Sequence, residues 1–161
     1  MEPIPRCKGV YLLVMVPRSD GKAKIGKSGI EIVLSPNIIL VYVGSAMGPG
    51  GLLARLKRHL SRSGKKLYWH IDYLTSRQDI DIQYVLYGCT TNKSAEKDLA
   101  EKCSLVLEEG PSRFGSGDDP YNRTHLFVYR GDPAILVEKL LPECFRSLGL
   151  SFVLVDRKQL A

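Results

Sequence analysis

The sequence predicts a single α/β domain spanning residues 1–161. That length is enough to enclose one sizeable hydrophobic core. Hydrophobic residues make up 44% of the chain and charged residues 25%, which is typical of a folded globular protein and excludes a disordered one. Apolar, β-branched segments alternate with segments of helical periodicity, and no internal repeat, low-complexity tract or linker interrupts them.

The first half of the chain is predicted to consist mainly of strands. The segment GVYLLVMVPR, 9–18, is apolar, rich in β-branched residues and ended by a proline. The segment IILVYVGS, 38–45, is almost entirely apolar, which is typical of a strand at the centre of a sheet. Between the two, glycines punctuate short alternating pieces such as IEIVLS, so a hairpin is expected there.

The second half is predicted to combine helices with strands. A helix is expected over 51–63, after the loop AMGPGG, and a strand over 80–88. Another helix is expected over 92–110, with Asn92 as its N-cap and Gly110 as its stop. The remaining predictions are a short helix or strand at 68–77, a loop at 111–124, a strand at 125–129, a helix at 133–148 and a strand at 151–156.

Positive charge is concentrated in one short segment. The net charge is +6, and a pI near 9.2 favours polyanionic partners such as nucleic acid or an anionic membrane face. Six Lys and Arg residues lie within 52–66, and no acidic residue occurs between Gly48 and His70. On the helix 51–63, one side is expected to carry the apolar residues Leu52, Leu53, Leu56 and Leu60, and the opposite side Arg55, Arg58, His59 and Arg62.

This basic helix face has two interpretations. Solvated helix faces are often rich in Lys and Arg, but they usually interleave both signs of charge. The absence of acids here favours phosphate binding, and Arg55 and His59, one turn apart, are placed to grip one phosphate together. The residues predicted to contact nucleic acid are Lys57, Arg58, Arg62, Lys65, Lys66 and His70.

Several other kinds of protein are disfavoured by the sequence. No apolar run reaches the roughly 20 residues that span a bilayer. The opening MEPIPRCKG has prolines where a secretory signal needs an apolar core, so a cytoplasmic location is expected. The cysteines Cys7, Cys89, Cys103 and Cys144 show no CxxC spacing, which gives little support for zinc, and reduced, mostly buried thiols are expected.

A carboxylate falls on the apolar side of the helix predicted at 92–110. The expected apolar stripe is Ala95, Leu99, Cys103, Val106 and Leu107. Glu96 projects within that stripe, where a carboxylate needs a cation, a metal or several hydrogen-bond donors. Near the start of the helix it can equally serve the helix dipole and turn towards water. Both interpretations are open.

The histidines His70 and His125 lie among other polar side chains. His70 belongs to YWHIDYL, which includes Asp72, and His125 follows the aspartates and tyrosine of DDPYNRT, where Asp118 begins the segment DDP. Their spacing does not match a zinc motif. A hydrogen-bonded structural role is therefore the default for His125, and the sequence assigns no role to His70, Asp72 or Asp118.

Two tripeptides carry a resemblance to a known family. GVY at 9–11 is followed by YVG at 42–44, then by a helix with Arg55 and a later helix with Glu96. This ordered set resembles the GIY-YIG nuclease superfamily, which includes excision-repair and homing endonucleases. The longer pattern YVGSAMGPGGLLARLKRHL…WHIDYL looks closer to an uncharacterised GIY-YIG-like branch that is sometimes joined to DNA-repair glycosylase domains. The motif core would cover about 9–127, with a C-terminal helix and strand at 132–157.

The resemblance implies a small, mainly antiparallel sheet flanked by helices, with a hairpin inserted between the two motif strands. It also implies roles for individual residues. Tyr11 and Tyr42 would line the cleft, one of them orienting or deprotonating the attacking water. Arg55 would neutralise the phosphate charge of the transition state, with His59 assisting. Glu96 would hold one divalent cation, Mg²⁺ or Mn²⁺.

The functional hypothesis is metal-dependent phosphodiester hydrolysis of nucleic acid, DNA rather than RNA, in a DNA-repair setting. An alternative is a nucleic-acid-binding module of the same fold that lacks catalysis. A third is a protein-interaction domain whose basic face meets an acidic partner. Nothing in the sequence indicates the oligomeric state.

Overall fold

A computed structural model describes residues 4–160 and confirms the α/β class with an antiparallel central sheet. Residues 1–3 and 161, at the ends of the predicted domain, lie outside the described part. The strands are β1 Gly9–Pro17, β2 Gly21–Ile25, β3 Ile30–Leu34, β4 Ile39–Ala46, β5 Ile80–Cys89, β6 Glu108–Glu109, β7 Leu126–Tyr129 and β8 Val153–Asp156. The α-helices are α1 Gly51–Leu60, α2 Asp72–Thr75, α3 Ala95–Val106, α4 Pro133–Ile135 and α5 Leu141–Arg146.

The central sheet has six strands in the order β6-β7-β4-β1-β5-β8, and each neighbouring pair is antiparallel. β4 lies in the middle, as its apolar sequence predicts, with β1 beside it, and almost every residue in both strands is buried. Because side chains alternate along a strand, β1 contributes to two cores. Tyr11 and Leu13 point into one core, and Val10 and Leu12 into the other.

The predicted hairpin is present as β2 and β3, which form a separate two-stranded antiparallel sheet. Alternate residues of the hairpin, such as Ala23, Ile25 and Ile32, are buried in the same core as Tyr11. The other core lies on the opposite side of the central sheet, where α3 and α5 cover it. The hairpin therefore completes the core on which α1 and α2 pack.

The helix α1 is anchored at its start by the chain that precedes β1. The backbone N–H of Leu52 donates to the carbonyl of Cys7, and that of Leu53 donates to the carbonyl of Pro5, each at 2.9 Å. Gly51 has a φ of +54°, and a Cβ there would overlap the carbonyl oxygens of Arg6 and Cys7. Only glycine permits this close approach. The helix ends at Leu60 rather than 63, since Ser61 is extended.

Other predicted boundaries also shift. The helix α3 spans Ala95–Val106, not 92–110, and its N-cap is Ser94 rather than Asn92. Leu107 is extended and leads into β6, which pairs with β7, so Gly110 does not stop the helix.

The two remaining helical segments differ from their predictions in smaller ways. The ambiguous segment 68–77 contains the short helix α2. At the C-terminal end, α4 continues through a π-helical turn, Leu136–Leu140, into α5. Pro142 follows that turn and cannot donate a helical hydrogen bond. None of the helices within residues 4–160 is long and apolar enough to cross a membrane.

The expectation of four reduced cysteines is wrong for two of them. Cys7 and Cys89 form a disulfide, while Cys103 and Cys144 are free and buried. The bonded pair is 82 residues apart in sequence, but β1 and β5 are adjacent strands and Gly9 lies opposite Cys89. The tertiary pairing of two strands, which cysteine spacing does not reveal, brings the sulfurs together.

Replacing both Cys7 and Cys89 with Ser should lower the free energy of unfolding by about 4 kcal/mol, because a loop of this length is then unconstrained in the unfolded chain. Denaturant unfolding with and without reductant measures the effect. The wild-type protein should lose stability on reduction, and the double variant should not respond. A wild-type midpoint that ignores the reductant would contradict the prediction.

Candidate active site

A pocket of about 550 Å³ opens at one end of the sheet, between α1, α3 and two loops. Its lining includes Tyr42 from β4, Arg55 from α1 and Glu96 from α3. The loop after α1 adds Trp69 and His70, and the segment just before β7 adds His125. Three of the five residues to which the resemblance assigns catalytic roles thus share one pocket.

Tyr11 lies behind this pocket rather than on its surface. Its side chain is fully buried, and its ring centroid is 6.4 Å from that of Tyr42. Tyr11 is paired with Gly44 across the β1–β4 ladder, and a Cβ at Gly44 would overlap the Tyr11 ring. The glycine of the YVG tripeptide therefore makes room for the tyrosine of GVY.

The prediction that His59 lies on the side of α1 opposite the leucines is wrong. His59 is buried, with its Nε2 atom 2.6 Å from the Tyr11 hydroxyl. Burial, together with the nearby positive charges of Lys65 and Arg55, lowers the pKa of His59 to about 3. The imidazole is therefore neutral. At about 100° per residue His59 shares the side of Leu52 and Leu56, where it is buried with them and meets the Tyr11 hydroxyl.

Both motif tyrosines hold their protons firmly. Burial raises the pKa of Tyr11 well above its usual value, and the neighbouring Tyr42 raises it further. Burial raises the pKa of Tyr42 as well, followed by the negative charge of Glu96. The positive charge of Arg55 opposes the shift in both cases. Near neutral pH the two hydroxyls are therefore hydrogen-bond donors and not bases.

Arg55 lines the pocket together with two other cationic residues, Lys93 and Lys97. Its guanidinium carbon lies 4.2 Å from the centroid of the Trp69 ring, a cation–π contact that fixes the side chain. Within residues 4–160 it forms no ion pair with a carboxylate. Arg55 therefore keeps its charge available for an anion in the pocket.

Other members of the basic segment have partners inside the protein. Arg58 pairs with the buried Asp72, with Nη2 2.7 Å from Oδ2, and Arg62 pairs with Asp81. Lys65 donates from Nζ to the Thr75 hydroxyl at 2.7 Å. The acids missing from the sequence window are supplied by residues after it. Lys57 and Lys66 are exposed and, in the described part of the chain, have no ion-pair partner.

Glu96 lies on the pocket wall at the edge of the buried face of α3, with 25% of its side chain exposed. Its Oε1 atom is 3.0 Å from Nδ1 of His125. The Nε2 atom of the same imidazole is 2.7 Å from Oδ2 of Asp119. Burial alone would lower the pKa of His125, but the two carboxylates outweigh it and the net shift is upward. Glu96 thus has a partner that the sequence did not assign.

The apolar stripe predicted for α3 differs in part from the residues that are buried in the structure. Ala95, Leu99 and Cys103 are buried as expected, but Val106 is exposed and Ala100 is buried in its place. The helix is turned slightly, because its buried side must cover β4 and also meet α5. Glu96, in the first turn of α3, is partly exposed and reaches both His125 and the pocket.

His70 connects the two loops that border the pocket. Its Nδ1 atom accepts a hydrogen bond of 3.0 Å from the backbone N–H of Gly115, and burial lowers its pKa. Asp118 also lines the pocket. Asn122 does not line it, because its side chain donates instead to Asp119 and to the carbonyl of Lys97.

The donor set suits a cation that keeps much of its water. Among residues 4–160 there is no cluster of three His, Cys, Asp or Glu side chains that would enclose a metal. Mg²⁺ is commonly held by one or two carboxylates, with water and phosphate oxygens completing its shell. Glu96, partly exposed on the pocket wall and with Asp118 on the same lining, fits that pattern.

The family model for DUF123, a domain of unknown function, matches residues 10–147, which is most of the chain. The chain belongs to the DUF123 family. DUF123 is a GIY-YIG-like family, in agreement with the GVY and YVG strands that lie side by side as β1 and β4. Among curated proteins and among solved structures, no significant match was found.

The structure of this DUF123 domain also contains site residues that the sequence did not single out. Trp69 and Asp119 border the pocket and contact Arg55 and His125 respectively. The sequence signals for them were weak: Trp69 is a lone tryptophan next to His70, and Asp119 lies six residues before His125. Only their positions in space give these residues a role.

The neutral state of His59 gives stability a defined pH dependence. Between pH 6.5 and pH 3, His59 is protonated in the unfolded chain but not in the folded one. The free energy of unfolding should therefore fall on acidification through this window, by up to about 1.4 kcal/mol per pH unit. Denaturant unfolding at several pH values measures the slope, and His59→Gln should flatten it.

The lowered pKa of His70 adds to the same window as His59, whereas two other groups act in different windows. His125 has a raised pKa, so its contribution is present below pH 6.5 and is lost as the pH rises through its folded pKa. Asp72 has a lowered pKa, so its contribution is lost below about 3.8. An equal slope for wild type and His59→Gln between pH 6.5 and 4 would contradict the assignment to His59.

Proposed function

We propose that this protein is a metal-dependent phosphodiesterase that acts on nucleic acid, DNA rather than RNA. The observation that carries the proposal is that Tyr42, Arg55 and Glu96 open onto one pocket, with Tyr11 and His59 packed directly behind it. An anion-binding cation, a cation-binding carboxylate and a hydroxyl donor are the minimum that hydrolysis of a phosphate diester requires.

Arg55 supplies the positive charge for the phosphate. The guanidinium presents several N–H donors in a planar fork, a geometry that matches two phosphate oxygens. Its stacking on Trp69 holds this fork in place before the ligand arrives. Negative charge that builds on the phosphate in the transition state is stabilised by such a fixed cation more than by mobile water.

Tyr42 orients the attacking water rather than deprotonating it. Its raised pKa keeps the hydroxyl protonated, so it donates a hydrogen bond in the pocket. Tyr11 is too deeply buried to meet the water, and its hydroxyl is engaged with His59. The buried pair positions α1, and with it Arg55, instead of touching the substrate.

Glu96 is the residue that would hold Mg²⁺ or Mn²⁺. When bound, that cation supplies Lewis-acid activation of an oxygen atom, which the side chains alone do not provide. His125 orients the Glu96 carboxylate towards the pocket through the contact at its Nδ1 atom. Asp119 holds the His125 ring in place through the contact at Nε2. Such outer partners set the orientation of a ligating carboxylate.

A non-catalytic nucleic-acid-binding module is the second candidate, and one contact favours it. Glu96 already has a counter-charge when His125 is protonated, so its burial beside the helix does not require a metal. In that case Arg55 and the exposed Lys57 and Lys66 bind phosphate without turnover. We also propose that the protein is closest to the glycosylase-linked branch, that it acts in DNA repair and that it is cytoplasmic.

Glu96→Gln separates the two candidates. It should reduce Mg²⁺- or Mn²⁺-dependent cleavage of nicked, flapped or branched DNA by more than about 100-fold, while DNA affinity in EDTA stays the same, because only the cation site is lost. The matched control is Glu101→Gln on the exposed side of α3. A wild-type protein that binds these substrates and never cuts them would leave the binding module as the function.

Arg55→Gln should weaken nucleic-acid binding and reduce its salt dependence. Removing one phosphate contact lowers the slope of log K against log salt by about 0.7 for a single strand or 0.9 for a duplex. Titrations at several salt concentrations measure it. Lys24→Gln removes the same charge from the exposed side of the hairpin, outside the pocket, and should leave the slope unchanged. Equal slopes for Arg55→Gln and wild type would refute the phosphate role.

A further inference from the structure

Two tyrosines near the pocket are unusually open to solvent. Tyr68 is 74% exposed and forms part of the pocket lining. Tyr121 is 80% exposed, and the ammonium of Lys97, another lining residue, lies 5.2 Å from the centroid of its ring. Neither ring contributes to a hydrophobic core. Exposed aromatic rings beside cations are typical of surfaces on which nucleic-acid bases stack.

The loop that carries Tyr68 is held in a fixed shape. The backbone N–H groups of Tyr68 and Trp69 donate to Oδ2 of the buried Asp72 at 2.9 and 2.8 Å. The same oxygen accepts from Arg58. Trp69 lies edge-on to Tyr68, with ring centroids 5.5 Å apart. These contacts position the exposed ring in advance, so its exposure is not the consequence of a loose loop.

The loop that carries Tyr121 is held by the same kind of contact, in which a buried aspartate accepts backbone N–H groups. The backbone N–H groups of Tyr121 and Asn122 donate to Oδ1 of Asp119 at 2.9 and 3.2 Å. The other oxygen of Asp119 is bonded to His125 and to the Asn122 side chain. In both loops a buried aspartate therefore accepts two successive backbone N–H groups and presents an exposed tyrosine next to the pocket.

We propose that Tyr68 and Tyr121 stack on unpaired bases of the strand whose phosphate is bound at Arg55, so that the preferred ligand is single-stranded or locally unpaired nucleic acid. This inference rests on the phosphate-binding part of the proposed function. Bases within a duplex are stacked on one another and offer no free face to a side chain. An unpaired base has two free faces, and stacking on an aromatic ring is largely independent of sequence.

The test compares a labelled oligothymidylate with three other ligands, all in EDTA to exclude cleavage. The three ligands are a strand of the same length that carries abasic sites, a duplex of the same length, and oligouridylate. The abasic strand keeps the phosphates but removes the bases, so it separates stacking from charge. The wild-type protein should bind oligothymidylate more tightly than either the duplex or the abasic strand.

Tyr68→Ala and Tyr121→Ala should each weaken binding of oligothymidylate by about 5- to 150-fold, the range expected for one lost stacked base. Binding of the abasic strand should change little, and the salt dependence for oligothymidylate should stay that of wild type, since no phosphate contact is removed. Tyr68→Phe and Tyr121→Phe keep the ring and should retain the affinity. Leu105→Ala, at an exposed apolar position of α3 outside the pocket, is the matched surface control.

Three results would overturn the proposal. The first is an alanine variant that loses as much affinity for the abasic strand as for oligothymidylate. The second is a phenylalanine variant that loses as much affinity for oligothymidylate as the alanine variant does. The third is a wild-type protein that binds the duplex as tightly as the single strand. Similar binding of oligouridylate supports stacking on either nucleic acid. Strand binding without any cleavage in Mg²⁺ would remove the proposed hydrolysis and leave this inference standing, whereas no binding by wild type would remove both.

Discussion

The arrangement of the pocket depends on the buried hydrogen bond between Tyr11 and His59. It joins the central strand β1 to α1 and fixes the rotation of that helix, because a histidine of lowered pKa and a tyrosine of raised pKa both remain neutral there. Arg55, one turn before His59, is thereby directed at the pocket. Gly44 makes the bond sterically feasible, since any side chain at this position would displace the Tyr11 ring.

Buried aspartates define the borders of the pocket. Asp72 and Asp119 have lowered pKa values, since hydrogen bonds from Arg58 in the first case, and from Asn122 and His125 in the second, outweigh the effect of burial. A charged oxygen in such a place binds backbone N–H groups strongly and holds a loop in one conformation. The basic segment 52–66 has two roles: Arg58, Arg62 and Lys65 bind partners inside the protein, while Lys57 and Lys66 face solvent.

The pocket combines charges of both signs instead of presenting a uniform basic surface. Arg55 and Lys97 line it together with Glu96 and Asp118. In the proposed function, this mixed lining would meet a phosphate together with its metal, and not a polyanion alone. The contact between Glu96 and His125 is the point at which the catalytic and the non-catalytic hypotheses diverge.

Local sequence determined the strands and helices, because apolar periodicity and glycine punctuation are short-range signals. The hairpin between the motif strands and the central position of β4 follow directly from them. Tertiary structure alone decided which charges are free: Arg58 is paired with an acid 14 residues away, and Glu96 with a histidine on another element. It also decided the Cys7–Cys89 bond. Partners of this kind are set by strand order and helix rotation, which depend on contacts across the whole chain.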